Sequence, residues 1–454
     1  MKPQKLSVLE KIGYGSGDAA VNVVISSMFL IITYFYTDIF GIKPTDVALM
    51  FGLVRLIDAV SDPLMGIITD KYKSAKWGRF RPYFLYLSVP FGISVFLTFT
   101  TPDFDYAGKL IWAYSTYILV TLMFTSVTIP YISLIGVLTN DPQERLEASG
   151  YRLFFAKVAA FGVSILVPIM AKAFGAGNLA HGYQLAMGVM ALIGTLLFLF
   201  CFVTTKERVE HIVEKTPYLQ QLKYLVKNGQ WMLLVGSCLS GTTGYVIRAS
   251  VAIYYAKYYL GGDEIVQSTF MGTGVAAAIL AMPLSTLITK HFCKVKLFWI
   301  SQFGVGIFSA LMFFLVNPQP DSMMMAYILY FTLSLVVDVH APVFWTAIAE
   351  AVDYGQAETG VRVSGLAFGG ISFAQKAGMG IAGGVVGLLL SAFNYAAPTE
   401  AVPLPVQTDT ALLGIALMLT LIPAVFHVIN GLLIMRYKIT DEYYETVIKA
   451  QIHI

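Results

Sequence analysis

The sequence predicts an all-α integral membrane protein with twelve transmembrane helices in two six-helix halves. Of its 454 residues, 57% are hydrophobic and 13% are charged, about half the charged fraction of an average soluble domain. Twelve apolar runs are each long enough to cross about 30 Å of hydrocarbon. A long polar segment follows the sixth run, so we expect an N-terminal half at 1–203, a cytoplasmic linker at 204–230 and a C-terminal half at 231–454.

The apolar runs follow one another with short polar connections. Helices are the expected spanning element because their backbone hydrogen bonds close within the segment. The first run is longer than a signal-peptide core and lacks a small-residue cleavage site, so we interpret it as a retained first helix. The predicted spans are 19–39, 47–70, 83–101, 110–134, 152–172, 183–203, 232–259, 265–289, 297–316, 324–349, 367–393 and 409–435.

The basic residues predict the orientation. If both termini are cytoplasmic, the external side carries only Lys43, Lys109 and Lys172, as the positive-inside rule requires. Most of the other basic residues then lie on the cytoplasmic side and face the inner membrane surface, while a few lie within spans, so we expect no nucleic acid partner. The linker has amphipathic spacing and should contain a surface helix.

The chain shows no enzyme motif. Cys201, Cys238 and Cys293 lie far apart without CxxC spacing, which indicates neither a metal site nor a disulfide framework. The glycines of "GYGSG" (13–17) precede a membrane helix and follow no strand, so we interpret them as a flexible start of that helix. HExxH, GxSxG and GxxxxGK[ST] patterns do not occur. We expect no enzymatic activity and no cofactor.

Charges interrupt the second span, in "RLIDAVSDPLMG" (55–66). Asp58 and Asp62 are spaced i,i+4 and share a helix face, and Arg55 stands one turn before Asp58. Each charge at membrane depth costs at least about 2.5–3.5 kcal/mol, so this polar stripe should face the bundle interior. Ser61 adds a hydroxyl, and Pro63 leaves a carbonyl without its helical partner. The two acids can share a proton or bind a small hard cation; the alternative is an Arg–Asp network that braces helix packing.

Other polar residues at membrane depth are candidates for substrate contact. Arg248 and Lys376 suit a sugar hydroxyl, a carboxylate or a sulfonate. For Arg152 the alternative is snorkelling to the surface, and His340 is either a structural residue or a proton carrier. The remaining candidates are Asn22, Thr125, Thr128, Asp338 and Glu350.

The basic segment 69–82 either anchors the topology or forms a salt-bridged gate. Arg79 and Arg81 in this segment, with Arg145 and Asp353 elsewhere on the cytoplasmic side, are the gating candidates. Two six-helix halves joined by a cytoplasmic linker suggest the major facilitator architecture, in which substrates bind near midmembrane.

Several segments resemble the glycoside-pentoside-hexuronide:cation symporters, whose familiar member is the melibiose carrier. They are spread through nearly the whole chain in the order of the family. The matching segments are "EKIGYGSGD" (10–18), "YFYTDIFGI" (34–42), "RLIDAVSDPLMG" (55–66), "KWGRFRPY" (76–83), "TIPYISL" (128–134), "LTNDPQERLEASGYR" (138–152), "AEAVDYG" (349–355) and "FAQKAG" (373–378).

The resemblance implies a twelve-helix major facilitator fold that moves a sugar or glycoside with H+, Na+ or Li+. It implies a bacterial inner-membrane protein, which we expect to be a monomer. The implied cation-binding residues are Asp58, Ser61, Asp62 and Thr125, with Asp58 and Asp62 as metal ligands if the ion is Na+. Together with the polar residues at membrane depth, the resemblance gives as substrate-binding candidates Asp18, Asn22, Thr128, Arg152, Arg248, His340 and Lys376.

This chain departs from the melibiose carrier at its sugar-binding positions. Asn22 and Thr128 stand where that carrier has acids, and Ile132 and Ala341 stand where it has tryptophans. Losing two acids while keeping the basic residues favours an anionic substrate, such as a hexuronide or a sulfonated sugar. The alternatives are a neutral pentoside or glycoside, an uncoupled sugar facilitator, and a sugar sensor on the same fold.

Overall fold

The computed structural model describes residues 5–139, 142–209, 218–318, 322–361, 363, 365–398, 402 and 404–448. By its internal contacts the chain divides into two compact units. Unit 1 is Met1–Val213, Gly262–Gly272 and Tyr395–Val406, and unit 2 is Glu214–Gly261, Thr273–Asn394 and Gln407–Ile454.

Long helices make up the described part of unit 1, with one isolated bridge between Ser74 and Gly78. The first helix begins earlier than its predicted span because Ser7 and Glu10 form a reciprocal capping box. The first span ends, after this helix, in a π-helical turn at Phe35–Ile39, which is wider than an α-helical turn. The helices are α1 Val8–Leu30, α2 Ile32–Tyr34, α3 Pro44–Lys71, α4 Arg81–Thr98, α5 Tyr106–Leu138, α6 Pro142–Gly175 and α7 Leu179–Thr204.

The described part of unit 2 is also helical. The linker contains a short helix, as its amphipathic spacing predicts. The tenth span breaks at Val339 and His340, and the twelfth breaks at Thr420. The helices are α8 Tyr218–Lys227, α9 Gly229–Tyr254, α10 Glu264–Thr289 (begun in unit 1), α11 Lys294–Leu315, α12 Met323–Asp338, α13 Ala341–Thr359, α14 Gly365–Ala392, α15 Asp409–Leu419, α16 Leu421–Ile434 and α17 Asp441–Tyr443; π-helical turns lie at Tyr255–Tyr259 and Tyr444–Ile448.

Every one of the twelve predicted spans falls on a described helix or on consecutive helices. By length and hydropathy alone, eight helical stretches in the described residues can cross a membrane, and a ninth if the bent pair Val8–Met28 and Ile32–Ile39 is one span. Helix α3 is not among the eight, because every 18-residue stretch of it carries more than two charged side chains. The chain is thus a multi-pass membrane protein whose second span carries an unusual polar load.

The first helices of the two halves repeat with a constant offset. Helix α3 begins at 44 and α10 at 264, and 264 minus 44 is 220; the π-helical turns at Phe35–Ile39 and Tyr255–Tyr259 differ by the same number. Gly41 and Gly261 both have positive φ, at 75° and 66°, where only glycine is unstrained. The constant offset and the shared turn geometry show that the two halves repeat one structural element.

The second copy of the repeat lacks the two acids of α3. With an offset of 220, Asp58 corresponds to Ala278 and Asp62 to Met282. Since the apolar second copy also forms a long helix, the fold does not require acids at these positions. Their presence in the first copy therefore needs a reason other than helix formation.

The glycines of "GYGSG" are not a flexible start of the first helix, which corrects that prediction. They lie inside α1, where neighbouring helices leave no room for a side chain. A Cβ at Gly13 would lie 1.7 Å from Thr204 Oγ1, one at Gly15 would lie 2.7 Å from Phe155, and one at Gly17 would lie 2.3 Å from Tyr131. Small residues let membrane helices pack closely, and here they bring α1 against α5, α6 and α7.

Candidate functional site

The predicted cation residues of unit 1 lie on α3 and α5. The Arg55 Nη1 atom lies 2.7 Å from Asp58 Oδ2, and Asp58 is 3% exposed. One turn further along α3, Asp62 Oδ1 accepts a hydrogen bond from the Thr125 hydroxyl at 2.8 Å. The structure thus brings Asp62 and Thr125 together across 63 residues of sequence.

Ser61 does not join this cluster through its hydroxyl. Its Oγ lies 3.5 Å from the backbone oxygen of Asp58, so the weak contact that it makes is to its own helix. Among the described residues, no group of three or more His, Cys, Asp and Glu side chains converges to hold a metal ion. A metal cation at Asp58 and Asp62 would therefore need hydroxyl or carbonyl oxygens as further ligands.

A second polar cluster in unit 1 contains predicted substrate residues. Arg152 Nε on α6 lies 3.3 Å from Asp18 Oδ2 on α1, and Asp18 is 5% exposed. The Arg152 guanidinium also lies over the ring of Tyr131, 5.8 Å from its centroid. The Asn22 side chain bonds within its own helix: its amide donates to the Asp18 backbone oxygen at 2.9 Å. Arg152 and Asp18 form a pair with no net charge.

Two tyrosines next to this pair were not among the predicted site residues. The rings of Tyr14 and Tyr131 stack with centroids 5.1 Å apart, and the Tyr131 hydroxyl donates to the Tyr14 backbone oxygen at 2.7 Å. Within the described part of the chain, the buried hydroxyls of Tyr14 and Thr128 have no hydrogen-bond partner. Both tyrosines stand in the quoted motifs "GYGSG" and "TIPYISL", which is the signal that could have identified them.

Unit 2 holds the other predicted substrate residues. Arg248 on α9 is 3% exposed, and its guanidinium lies 5.8 Å from the centroid of the Tyr245 ring. Its Nη1 atom has no hydrogen-bond partner in the residues that the structure describes. Lys376 is half-buried on α14, and His340 lies half-buried at the break between α12 and α13. Arg248 is thus a buried cation with unused donor capacity.

The gating candidates lie in polar contacts near the helix ends. In unit 1, Arg79 donates to the Thr69 backbone oxygen at 3.1 Å and Arg81 Nη2 to that of Phe202 at 2.7 Å. In unit 2, Asp353 accepts from the Tyr444 hydroxyl at 2.6 Å. The Arg145 side chain lies outside the described residues. A gating role for these four residues stays a prediction.

Glu207, which the sequence reasoning missed, caps the segment that contains Arg79 and Arg81. Its carboxylate accepts hydrogen bonds from the backbone N–H groups of Arg79, Phe80 and Arg81 at 2.8, 2.7 and 3.0 Å. A Cβ at Gly78 would lie 2.5 Å from this carboxylate. The linker thereby holds the first turn of α4.

We expect Glu207→Gln to weaken this cap. An amide replaces one acceptor oxygen with a donor, so at least one backbone N–H loses its partner, at a cost of about 1–3 kcal/mol. The measurement is the thermal unfolding of the purified protein in detergent, which should begin several degrees lower. Glu358→Gln is the control, because Glu358 is exposed and bonds only Tyr354 in the described contacts; equal melting temperatures for the two variants would contradict the capping role.

Comparisons with known proteins identify the family. The model of the MFS/sugar transport protein family matches residues 13–441. The inner membrane symporter YicJ of Escherichia coli (strain K12) is 33% identical over 96% of this chain and 93% of its own length. The putative glycoside/cation symporter YagG of the same organism is 34% identical over 98% and 94%.

Solved structures agree on the fold. An inward-facing, occupied bacterial homologue of the human lysosomal transporter Spinster superposes with a TM-score of 0.68 at 14% identity, covering 94% of this chain and 95% of that one. This likeness concerns the fold alone. Together with the family match, it shows that the chain belongs to the glycoside-pentoside-hexuronide:cation symporter family of the major facilitator superfamily, and that it is a sugar transporter rather than an enzyme.

Proposed function

We propose that this protein couples the uptake of an anionic sugar to a monovalent cation held at Asp58, Asp62 and Thr125, with both termini in the cytoplasm. The observation that carries the cation site is the arrangement on α3 and α5: one acid lies against Arg55, and the other accepts the Thr125 hydroxyl. YagG, whose name specifies a glycoside and a cation, supports the coupling.

The net charge of this cluster matches the binding of one monovalent cation. Two ionised carboxylates and one guanidinium sum to −1, which one Na+ or one proton neutralises. Because the Thr125 hydroxyl donates its hydrogen to Asp62, its oxygen keeps lone pairs that can ligate a cation. Carboxylate and hydroxyl oxygens are ligands that hard cations prefer. A proton would instead be shared by the two acids.

Arg248 supports an anionic substrate. A cation buried at membrane depth is costly unless an opposite charge accompanies it, and an Arg donates well to a carboxylate or sulfonate. The glucuronide carrier protein homolog of Escherichia coli (strain K12), 28% identical over 98% of this chain, has an acidic sugar in its name. We infer that the acid group of the substrate forms an ion pair with Arg248 during transport.

A neutral glycoside is the second candidate. It is favoured by the Arg152–Asp18 pair, which carries no net charge and offers donors and acceptors to sugar hydroxyls. The isoprimeverose transporter of Lactiplantibacillus pentosus is 30% identical over 95% of this chain.

Competition experiments separate the two candidates. Uptake of a labelled glycoside into proteoliposomes is measured against matched competitors, a methyl glucuronide and the corresponding methyl glucoside, with either a Na+ or a pH gradient. We expect the acid to compete at least about tenfold better, and one of the gradients to drive accumulation. Competition by neutral sugars alone would overturn the anionic substrate, and equilibration without accumulation under both gradients would overturn the coupling.

A further inference from the structure

A hydrogen-bonded chain of side chains runs through unit 2 and connects three helices, α9, α11 and α16, with the break between α12 and α13. At its centre is Gln302 of α11, which is fully buried. One atom of its amide lies 3.0 Å from Nδ1 of His340 at the helix break. The other lies 2.8 Å from Nδ1 of His427 and 3.2 Å from the amide of Asn430, both on α16. Asn430 continues to Ser237 of α9 at 2.6 Å.

The backbone at the helix break sets the direction of this chain. His340 Nδ1 lies 2.6 Å from the Val337 carbonyl oxygen, and a carbonyl only accepts, so Nδ1 carries the hydrogen. The Gln302 atom facing His340 must then also be an acceptor. As placed, that atom is the amide nitrogen, a second donor, so we assign Gln302 with its amide turned by half a rotation; amide oxygen and nitrogen are assigned from such networks.

The same reasoning determines which nitrogen of His427 carries the hydrogen. With the Gln302 oxygen facing His340, its nitrogen donates to His427 Nδ1, which must be the unprotonated nitrogen. A neutral imidazole carries one hydrogen, so His427 has it on Nε2. Turning Asn430 likewise lets its oxygen accept from Gln302 and its nitrogen donate to Ser237. This assignment gives up the 3.3 Å contact from the Gln302 amide nitrogen to the Ser301 hydroxyl, and it leaves His427 Nε2 without a partner among the described residues.

His427 Nε2 is a buried donor without an acceptor in the described structure. His427 is 1% exposed, and its Nε2 has no hydrogen-bond partner among the described residues. Gly244 of α9 lets the ring approach, since a Cβ there would lie 3.1 Å from its Cδ2 atom. Arg248 follows Gly244 by four residues, so it lies on the same face of α9, and Arg248 and His427 interact electrostatically.

We propose that Arg248 Nη1 and His427 Nε2–H together bind the acid group of the transported sugar, and that His340 and Gln302 act as positioning residues that keep His427 a donor. Two buried donors, the cationic Arg248 of α9 and His427 of α16 against the same face of α9, require an acceptor, and an oxyanion satisfies both. A neutral sugar leaves these two buried donors without an anionic acceptor, and a site whose buried polar groups lose their partners rejects the wrong substrate.

This inference rests on the proposed anionic substrate and names the residues that select it. The test measures binding of a methyl glucuronide and of the matched methyl glucoside to the purified full-length protein by calorimetry. The variants are Arg248→Met and His427→Phe, with Arg248→Lys and His427→Gln as milder changes in case the first pair folds poorly. Lys290→Met, an exposed residue of unit 2 beyond α10, is the matched loss of a positive charge.

We expect the wild type and Lys290→Met to prefer the acid, and both Arg248→Met and His427→Phe to reduce that preference at least about tenfold. A wild type that prefers the acid together with variants that keep the preference would overturn this inference and leave the proposed function standing. A wild type without any preference for the acid would overturn both.

The direction of the hydrogen-bonded chain has its own readout. Solid-state nitrogen NMR of histidine-labelled protein distinguishes a protonated from an unprotonated ring nitrogen, and His427→Phe assigns the signal among the six histidines. We expect Nε2 of His427 to be protonated and Nδ1 to be unprotonated. The opposite pattern would remove the second donor and overturn the inference.

Discussion

Asp62→Asn should abolish accumulation of the sugar against its gradient, bringing the internal and external concentrations to a ratio of about 1, because coupling requires each ligand to raise the affinity for the other. The substitution removes one negative charge and one cation-binding oxygen next to Thr125. Exchange of labelled for unlabelled sugar should persist, since the substrate residues are untouched. The measurement is uptake into proteoliposomes with and without the driving gradient.

Asp58→Asn tests the other half of the site and should have the same effect on accumulation, although Arg55 then loses its counter-charge as well. Asp46→Asn is the control: it makes the same change on the same helix, where Asp46 accepts from the Tyr106 hydroxyl in the first turn of α3. Accumulation at the wild-type level in both Asp58→Asn and Asp62→Asn would refute the cation site.

Asp18→Asn should strongly destabilise unit 1, because it leaves the Arg152 guanidinium on α6 without its counter-charge. Breaking a buried ion pair from one side costs about 3–5 kcal/mol; Asp18 is 7% and Arg152 30% exposed at their side chains, so the lower end of that range applies. Thermal unfolding in detergent should show a clearly lower melting temperature. Arg152→Gln should also lower the melting temperature, because it leaves Asp18 without its counter-charge.

The double variant separates stability from substrate binding. With both charges removed, no unpaired ion remains, so the melting temperature should recover part of the loss as a positive coupling between the sites. Sugar binding should stay impaired if the pair contacts the substrate. Single variants as stable as the wild type would contradict the pairing, and normal binding by a stable double variant would confine the pair to a structural role.

Much of the fold could be predicted from the sequence because the hydrocarbon imposes its own length and polarity. Each predicted span coincides with a helix or a broken helix, and the boundaries moved where capping decided them, as at Ser7 and Glu10 of α1. The breaks in the tenth and twelfth spans were not predicted. Apolar length identifies a span but carries no information on where tertiary contacts interrupt it.

The candidate cation site was visible in the sequence through local spacing alone. Asp58 and Asp62 share a face because helical periodicity puts them there, and Arg55 reaches Asp58 from one turn away. These contacts lie within four residues, so backbone geometry determines them before the chain folds.

Only the tertiary structure decided which distant groups complete the clusters. Thr125 meets Asp62 from 63 residues away, Arg152 pairs with Asp18 across α1 and α6, and Glu207 caps α4 from the linker. Gln302 and His427, neutral and surrounded by apolar residues, gave no local signal, and their roles follow from the partners that helix packing provides. By itself the sequence determined the membrane fold and the shared helix face of the two acids of α3, because both depend on short-range periodicity. The partners of those acids and the donor pair of unit 2 depend on which helix faces meet. Only side-chain packing in the folded protein decides that.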